Sequence, residues 1–299
     1  MSRWRTLWAN PWRQHRGLTV WTWVYIVWAI APVVIAIAFS FNAGRSRSVW
    51  QGFSMRWWTG DPDLSLLHNE MLTSAIRQSL VLAAGTMLIA TPIGIALALG
   101  LARWRGHGSG SANFLMLLPL VTPEIVLATG MFIVFVYLYP WPEPGTWAQI
   151  VGHVTWSIPY VVVVLRGRIF GVGPELEEAA MDLGASPRQA LRRVLLPVLS
   201  PAIFAAFMIV FALSIDDFVT SQFLSRGEST QTVPMLIYTT GRSAPNPALN
   251  ATATFMLVIS LGAIGIAVAG MRALARKQGL GTQGAGEVAT FEIGGGSAR

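Results

Sequence analysis

The sequence predicts an all-α membrane protein of about six transmembrane helices. Two observations carry that prediction: a composition too apolar for a soluble domain, and a succession of apolar runs close to membrane-spanning length. Hydrophobic residues make up 53% of the 299 and charged residues only 12%, where soluble domains carry about 25% charge. A helix needs about 20 apolar residues to cross a bilayer, and runs approaching that length recur along the chain. The absence of cysteine excludes disulfides, thiolate metal sites and cysteine nucleophiles.

Six spans follow in order. The first, 20–41, reads "VWTWVYIVWAIAPVVIAIAFSF"; it is too long for a signal h-region and is expected to be retained. The second, 72–101, includes "LVLAAGTMLIATPIGIALALGLA", and the third, 113–139, is "NFLMLLPLVTPEIVLATGMFIVFVYLY". The fourth, 147–169, includes "IVGHVTWSIPYVVVVL"; the fifth, 198–224, includes "PAIFAAFMIVFALSIDDF"; the sixth, 252–275, includes "FMLVISLGAIGIAVAGM". Trp57, Trp58 and Trp141, between spans, read as interfacial belt residues.

The net charge of +7 concerns topology, not nucleic acid, because the basic residues cluster beside apolar runs. Fifteen of the 21 lie before span one, after spans two and six, or between spans four and five. The positive-inside rule then puts both termini in the cytoplasm. Residues 1–19 form a basic, aromatic N-terminal segment: Trp4, Trp8 and Trp12 repeat at helical spacing among arginines. That pattern suits a surface-lying helix or an unstructured basic tail. The transmembrane domain occupies 20–275, and the glycine-rich stretch 276–299 reads as a disordered cytoplasmic tail.

Between spans four and five the apolar pattern breaks into "GPELEEAAMDLGASPRQALRRVLLP". Pro174 fits a first helical position. Glu175, Glu177 and Glu178 favour the positive end of a helix, and Gly184 is placed to close it in the left-handed conformation. Ser186-Pro187 restarts a helix as N-cap and first position, with Arg188 and Arg192 sharing one face, and Pro197 closes the motif before span five. Two amphipathic helices outside the bilayer suit either a docking knob for another protein or a loop packed on its own membrane domain.

Residues 178–197, "EAAMDLGASPRQALRRVLLP", resemble the EAA motif of bacterial ABC-importer permeases: E-A-A, three residues, Gly, nine residues, then I-x-L-P. The matching positions are Glu178, Ala179, Ala180, Gly184, Val194, Leu196 and Pro197, with Val194 replacing the usual Ile. "SIDDFVTSQFLSRG" and "TVPMLIYTTGRSAPNPALNATAT" are similar to the spermidine/putrescine permeases, especially their PotC-type subunit. The resemblance implies a type I ABC importer permease in the bacterial cytoplasmic membrane. In it, loop 173–197, Arg188 included, would couple to the ATPase. It also implies two copies of an ATPase subunit that bind ATP and Mg, a second permease forming a heterodimer, and an extracytoplasmic solute-binding protein. No cofactor is expected in this chain, and no nucleic acid partner. No G-x-x-x-x-G-K-[ST] pattern and no catalytic constellation occurs, so an enzyme is not expected, and energy would come from a separate subunit.

Three acids stand where lipid is expected, and charge in the hydrocarbon zone is costly and usually faces a pathway. Glu124 falls about 11 residues into span three, roughly 16 Å along it, after Pro119 and Pro123 loosen the helix. Asp216 and Asp217 lie near the outer end of span five. Carboxylates suit a multiply charged ammonium substrate, and Trp156 and Tyr160 would add cation–π contacts. The alternative for the aspartates is capping of a broken helix, and for Glu124 a bond to partner-helix backbone. Arg77 suits an interfacial anchor or an ion partner for one of these acids. The rival functions are the same importer with another cargo (an opine, another cationic amine, ferric ion, an organophosphonate), a proton-coupled secondary carrier, or a membrane-embedded enzyme.

Overall fold

The computed structural model describes residues 16–46, 48–139, 141–243 and 247–277. Trp4, Trp8, Trp12 and the glycine-rich stretch beyond residue 277 lie outside them. Regular structure among the described residues is helical, apart from one isolated antiparallel bridge between Asn42 and Phe53. Five helices are long and apolar enough to cross a membrane: Gly17–Phe39, Glu70–Arg103, Thr146–Val172, Pro187–Ile215 and Pro247–Ala273. A bent pair, Ser109–Val121 with Glu124–Leu138, makes the sixth.

The chain divides into two compact units. The first comprises Met1–Asn69 and Pro245–Thr254. It holds helix α1 (Arg16–Phe39) and a folded loop after it. Asn42 organises that loop: its Nδ2 donates to the carbonyls of Ser46 and Val49, and its Oδ1 accepts from the Gln51 N–H. Its own carbonyl accepts from the Trp57 indole at 2.6 Å. Trp57 is fully buried, so it is the centre of this loop and not the belt residue expected. Phe41 stacks between Phe53 and Trp58, each 5.4 Å away between ring centroids. Arg56 donates twice to Asp61 Oδ2, at 2.8 and 2.9 Å, and holds that carboxyl below the usual carboxylate range.

The second unit comprises Glu70–Ala244 and Phe255–Arg299. Helices α2 (Glu70–Arg103), α5 (Thr146–Val172) and α7 (Pro187–Ile215) pack against one another at its centre. Their contact is built from Leu82, Ala90, Ala98, Val161, Leu165 and Val210, all buried. Membrane helices approach closely where one side is small, and Gly94 supplies that here: a Cβ at this position would lie 2.6 Å from the Val161 side chain. Around this core run α3 (Ser109–Val121), α4 (Glu124–Ile133, continued by a π-turn to Leu138), α6 (Glu175–Asp182), α8 (Val219–Phe223) and α9 (Val233–Ser243). Helix α10 (Pro247–Lys277) starts among the residues of the first unit and ends among those of the second.

Three expectations are corrected. The third span is not one helix: α3 and α4 meet at 105°. Thr122 is extended, as a residue before proline prefers, and Pro123 brings no N–H to continue the ladder. Span five ends at Ile215, not near 224, with Asp216 as its C-cap, and the chain resumes as α8. Pro197 does not stop the chain before that span. A π-turn at Leu191–Leu195 precedes it, with Leu196 N–H donating to the Leu191 carbonyl, and this wider turn makes room for the proline ring. One helix therefore runs from Pro187 to Ile215.

Overpacking of this kind costs about 1–3 kcal/mol, so Gly94→Ala should lower the melting temperature of the purified protein. Gly100→Ala, with nothing within 4 Å of the added carbon, should be neutral or stabilising. Equal melting temperatures for the two variants would contradict close packing of α2 on α5.

Candidate functional site

The site grows from one stripe of α5. Gln149, His153, Trp156 and Tyr160 follow at spacings of four, three and four, which places them along a single face. The polar half of the stripe is buried and grips the segment after α7. Gln149 Nε2 donates to the carbonyls of Ser221 (2.9 Å) and Thr230 (3.1 Å), while its Oε1 accepts from Gln78 at 2.8 Å. These bonds satisfy carbonyls near the ends of two short helical segments, α8 and Gly227–Thr230. His153 has both ring nitrogens engaged, Nδ1 2.7 Å from Ser214 Oγ and Nε2 3.0 Å from Ser221 Oγ. The aromatic half continues with Trp156 5.8 Å from the His153 ring and Tyr160 edge-on to Trp156 at 6.1 Å.

The aromatic half of the stripe and the two helix breaks line an open cavity of about 420 Å³. Glu124, the first residue of α4, lines it, as do Asp216, Asp217 and Phe218 from the α7–α8 break and Trp156 and Tyr160 from α5. All five residues expected to line a pathway therefore meet in one cavity. Among the described residues, no three His, Asp or Glu side chains converge as a metal centre would require.

The two aspartates are not equivalent. Asp216 is exposed and Asp217 is buried, with 6% of its surface accessible. Asp217 Oδ2 accepts from the Ser221 N–H at 2.8 Å and the Ser221 hydroxyl at 2.9 Å, and His153 Nε2 lies 3.0 Å from it. Asp217 thus both bonds to the start of α8 and lines the cavity. Oδ2 caps α8, whereas buried Oδ1 has no hydrogen-bond partner. Glu124 is exposed and lines the same cavity.

Gln149, His153, Ser221 and Thr230 were not singled out by the sequence. Gln149 and His153 did carry a signal, two polar residues four apart within span four. Arg77 is exposed and forms no ion pair with these acids among the described residues.

At the other end of α7 the charged break folds as two capped helices. Glu175, Glu177 and Glu178 occupy the first turn of α6, and Pro174 is its N-cap, one place before the expected position. Gly184 adopts φ +88° and ends α6. Ser186 and Gln189 form a reciprocal capping box, with Pro187 at the first position of the next helix. Glu178, Ala179 and Ala180 lie on α6, while Arg188, Val194, Leu196 and Pro197 lie on α7. Leu176, Met181 and Leu183 are exposed here, Leu183 by 90%. Arg103 at the end of α2 forks onto Glu177 at 2.5 and 2.7 Å.

About six helical spans, interrupted at acidic residues, have the architecture of a type I ABC importer permease. Over residues 90–278 the sequence matches the family of the binding-protein-dependent transport system inner membrane component, and the chain belongs to that family. It is 34% identical over 262 residues to the putrescine transport system permease protein PotI of Escherichia coli (strain K12), covering 86% of this chain and 88% of that protein. The spermidine/putrescine transport system permease protein PotC of the same strain is 33% identical over 242 residues, covering 81% and 87%. Among solved structures, a chain of a bacterial alginate ABC importer superposes with a TM-score of 0.69 at 18% identity, over 86% of this chain and 94% of that one. A chain of the MetNI methionine ABC transporter gives 0.55 at 17% identity, over 68% and 93%. Both likenesses concern the fold.

Gly184→Val should strain the α6–α7 junction by about 1–3 kcal/mol, because a β-branched residue fits poorly at positive φ. Gly184→Asn, which tolerates that region, should be milder. Uptake and ATPase pull-down from membranes carrying each variant would check this. Full retention of both by Gly184→Val would remove the turn from any docking role.

Proposed function

We propose that this chain is one permease of an ATP-driven, binding-protein-dependent importer of polyamines, spermidine or putrescine. It would work in a heterodimer with a second permease, two copies of an ATPase subunit and an extracytoplasmic binding protein. The observation that carries the cargo is the cavity, lined by Glu124, Asp216 and Asp217 together with Trp156 and Tyr160. A protonated amine finds there both counter-charge and cation–π surface. The names of the polyamine permeases that span most of this chain support the same cargo. The fold neighbour that imports acidic alginate does not bear on it, since acids in the cavity would repel such a cargo.

In this reading ATP and Mg bind the ATPase subunits, whose closure acts on residues 174–196. Glu178, Ala179, Ala180 and Gly184 form the first half of that contact, and Arg188, Val194, Leu196 and Pro197 the second. The termini lie in the cytoplasm, beside most of the basic residues. Cargo released by the binding protein passes the carboxylates without covalent chemistry.

A charge pair at 4 Å is worth roughly 4 kcal/mol at an effective dielectric of about 20, before desolvation is counted. Neutralising Asp216 and Asp217 together to Asn preserves size and capping ability. The double variant should assemble with its ATPase yet lose most uptake of labelled spermidine per assembled complex. Near-normal uptake would remove these residues from the pathway. A secondary carrier driven by protons makes a different prediction. In vesicles supplied with ATP on the ATPase side, uptake should survive an uncoupler; its collapse while ATP persists would favour that carrier.

A further inference from the structure

We propose that Arg103 is a positioning residue for coupling: its ion pair with Glu177 ties helix α6 to α2, so that the charged loop drives two long helices and not α7 alone. The inference rests on the reading of residues 174–196 as the ATPase contact and adds a residue outside that loop.

The three glutamates in the first turn of α6 are not equivalent. Glu175 and Glu178 are exposed and form no ion pair among the described residues. Glu177 is the shielded one, with 18% of its side chain accessible, and both its oxygens accept from Arg103 Nη2. Stabilising the positive helix end asks only for negative charge in the first turn, which Glu175 and Glu178 already supply. The bond of Glu177 to a residue 74 positions back serves tertiary structure instead. Helix α6 joins α7 through the turn at Gly184 and packs on its first turns. With that attachment alone α6 could pivot about the turn; the second, to the last residue of α2, fixes its direction. Helix α2 is 34 residues long, about 50 Å at 1.5 Å each. Farther along it, Thr86 Oγ1 lies 3.3 Å from Oγ of Ser214, two residues before Asp216, and Gln78 donates to Gln149. Two rods thus lead from one loop to the α7–α8 break: α7 by chain continuity, and α2 by one ion pair.

Charge reversal tests the pair, because a merely structural surface charge is not rescued by exchanging it with its partner. In vesicles holding the complete complex, with ATPase, second permease and binding protein, the readout is spermidine moved per ATP hydrolysed. This ratio is insensitive to how much complex assembles. A partly exposed ion pair is worth up to about fivefold, and reversal adds repulsion to that loss. Arg103→Glu and Glu177→Arg should therefore each lower the ratio by about fivefold, and the two together should restore most of it. Arg105→Glu makes the same charge change at an exposed residue with no ion pair among the described residues, and it should keep the wild-type ratio.

A second measurement needs no cargo. The chain has no cysteine, so spin labels at Gly100→Cys on α2 and Met181→Cys on α6 report the distance between the two helices, in a complex whose other subunits are also made free of cysteine. The spread of that distance should widen in Arg103→Glu and narrow again when Glu177→Arg is added. Three results would overturn the inference: a combined reversal no better than either single one, an Arg105→Glu variant that falls as far as Arg103→Glu, or a label spread that is the same in every variant. If the wild-type complex moved no spermidine, the cargo reading would fail, and the label spread would still decide whether Arg103 holds α6.

Discussion

The amide of Gln149 is the constraint on which the second unit depends. A chain that breaks a helix inside a bilayer must pair the freed backbone groups without water. Gln149, fully buried on α5, accepts from Gln78 and donates to two carbonyls of the segment that follows α7. It therefore ties α2, α5, α8 and the turn at Gly227–Thr230 at one point. Ser221, whose carbonyl Gln149 holds, in turn donates its N–H and hydroxyl to Asp217 Oδ2.

The other break follows the same logic by different means. At Thr122-Pro123 the proline removes a donor and pushes its predecessor to an extended conformation, so fewer backbone groups need partners. Glu124 then starts α4, where a carboxylate suits the positive helix end. The two interruptions bring carboxylates from separate spans into one cavity, an arrangement that unbroken helices would not give. Membrane transport folds in general put sites at discontinuous helices for this reason.

Helix α7 joins the two functional regions. It starts at the Ser186–Pro187 cap beside the α6 turn and ends at Ile215, against the carboxylate cavity. Its 29 residues span about 43 Å at 1.5 Å each. The π-turn at Leu191–Leu195 keeps it continuous through Pro197. In the proposed importer, a displacement at the loop of Gly184 would be carried to Asp216 by a single rod, with no intervening loop to absorb it.

By itself the sequence determined the helical membrane class, the approximate positions of the spans and the local form of the charged break. These depend on short-range rules: apolar length, proline and glycine geometry, and caps such as Ser186. It also marked Glu124, Asp216, Asp217, Trp156 and Tyr160, because charge and aromatic rings within apolar runs are conspicuous without a partner in view. Only the tertiary structure decided that the third span bends by 105°, that Pro197 lies within a continuous helix and that Trp57 is buried. It alone joined His153 to Asp217 and Gln149 to Ser221, residues 64 and 72 positions apart. A buried polar residue on a span reads in sequence like any other polar residue. Its meaning comes from what lies across the helix interface, and packing sets that interface, not local chain chemistry.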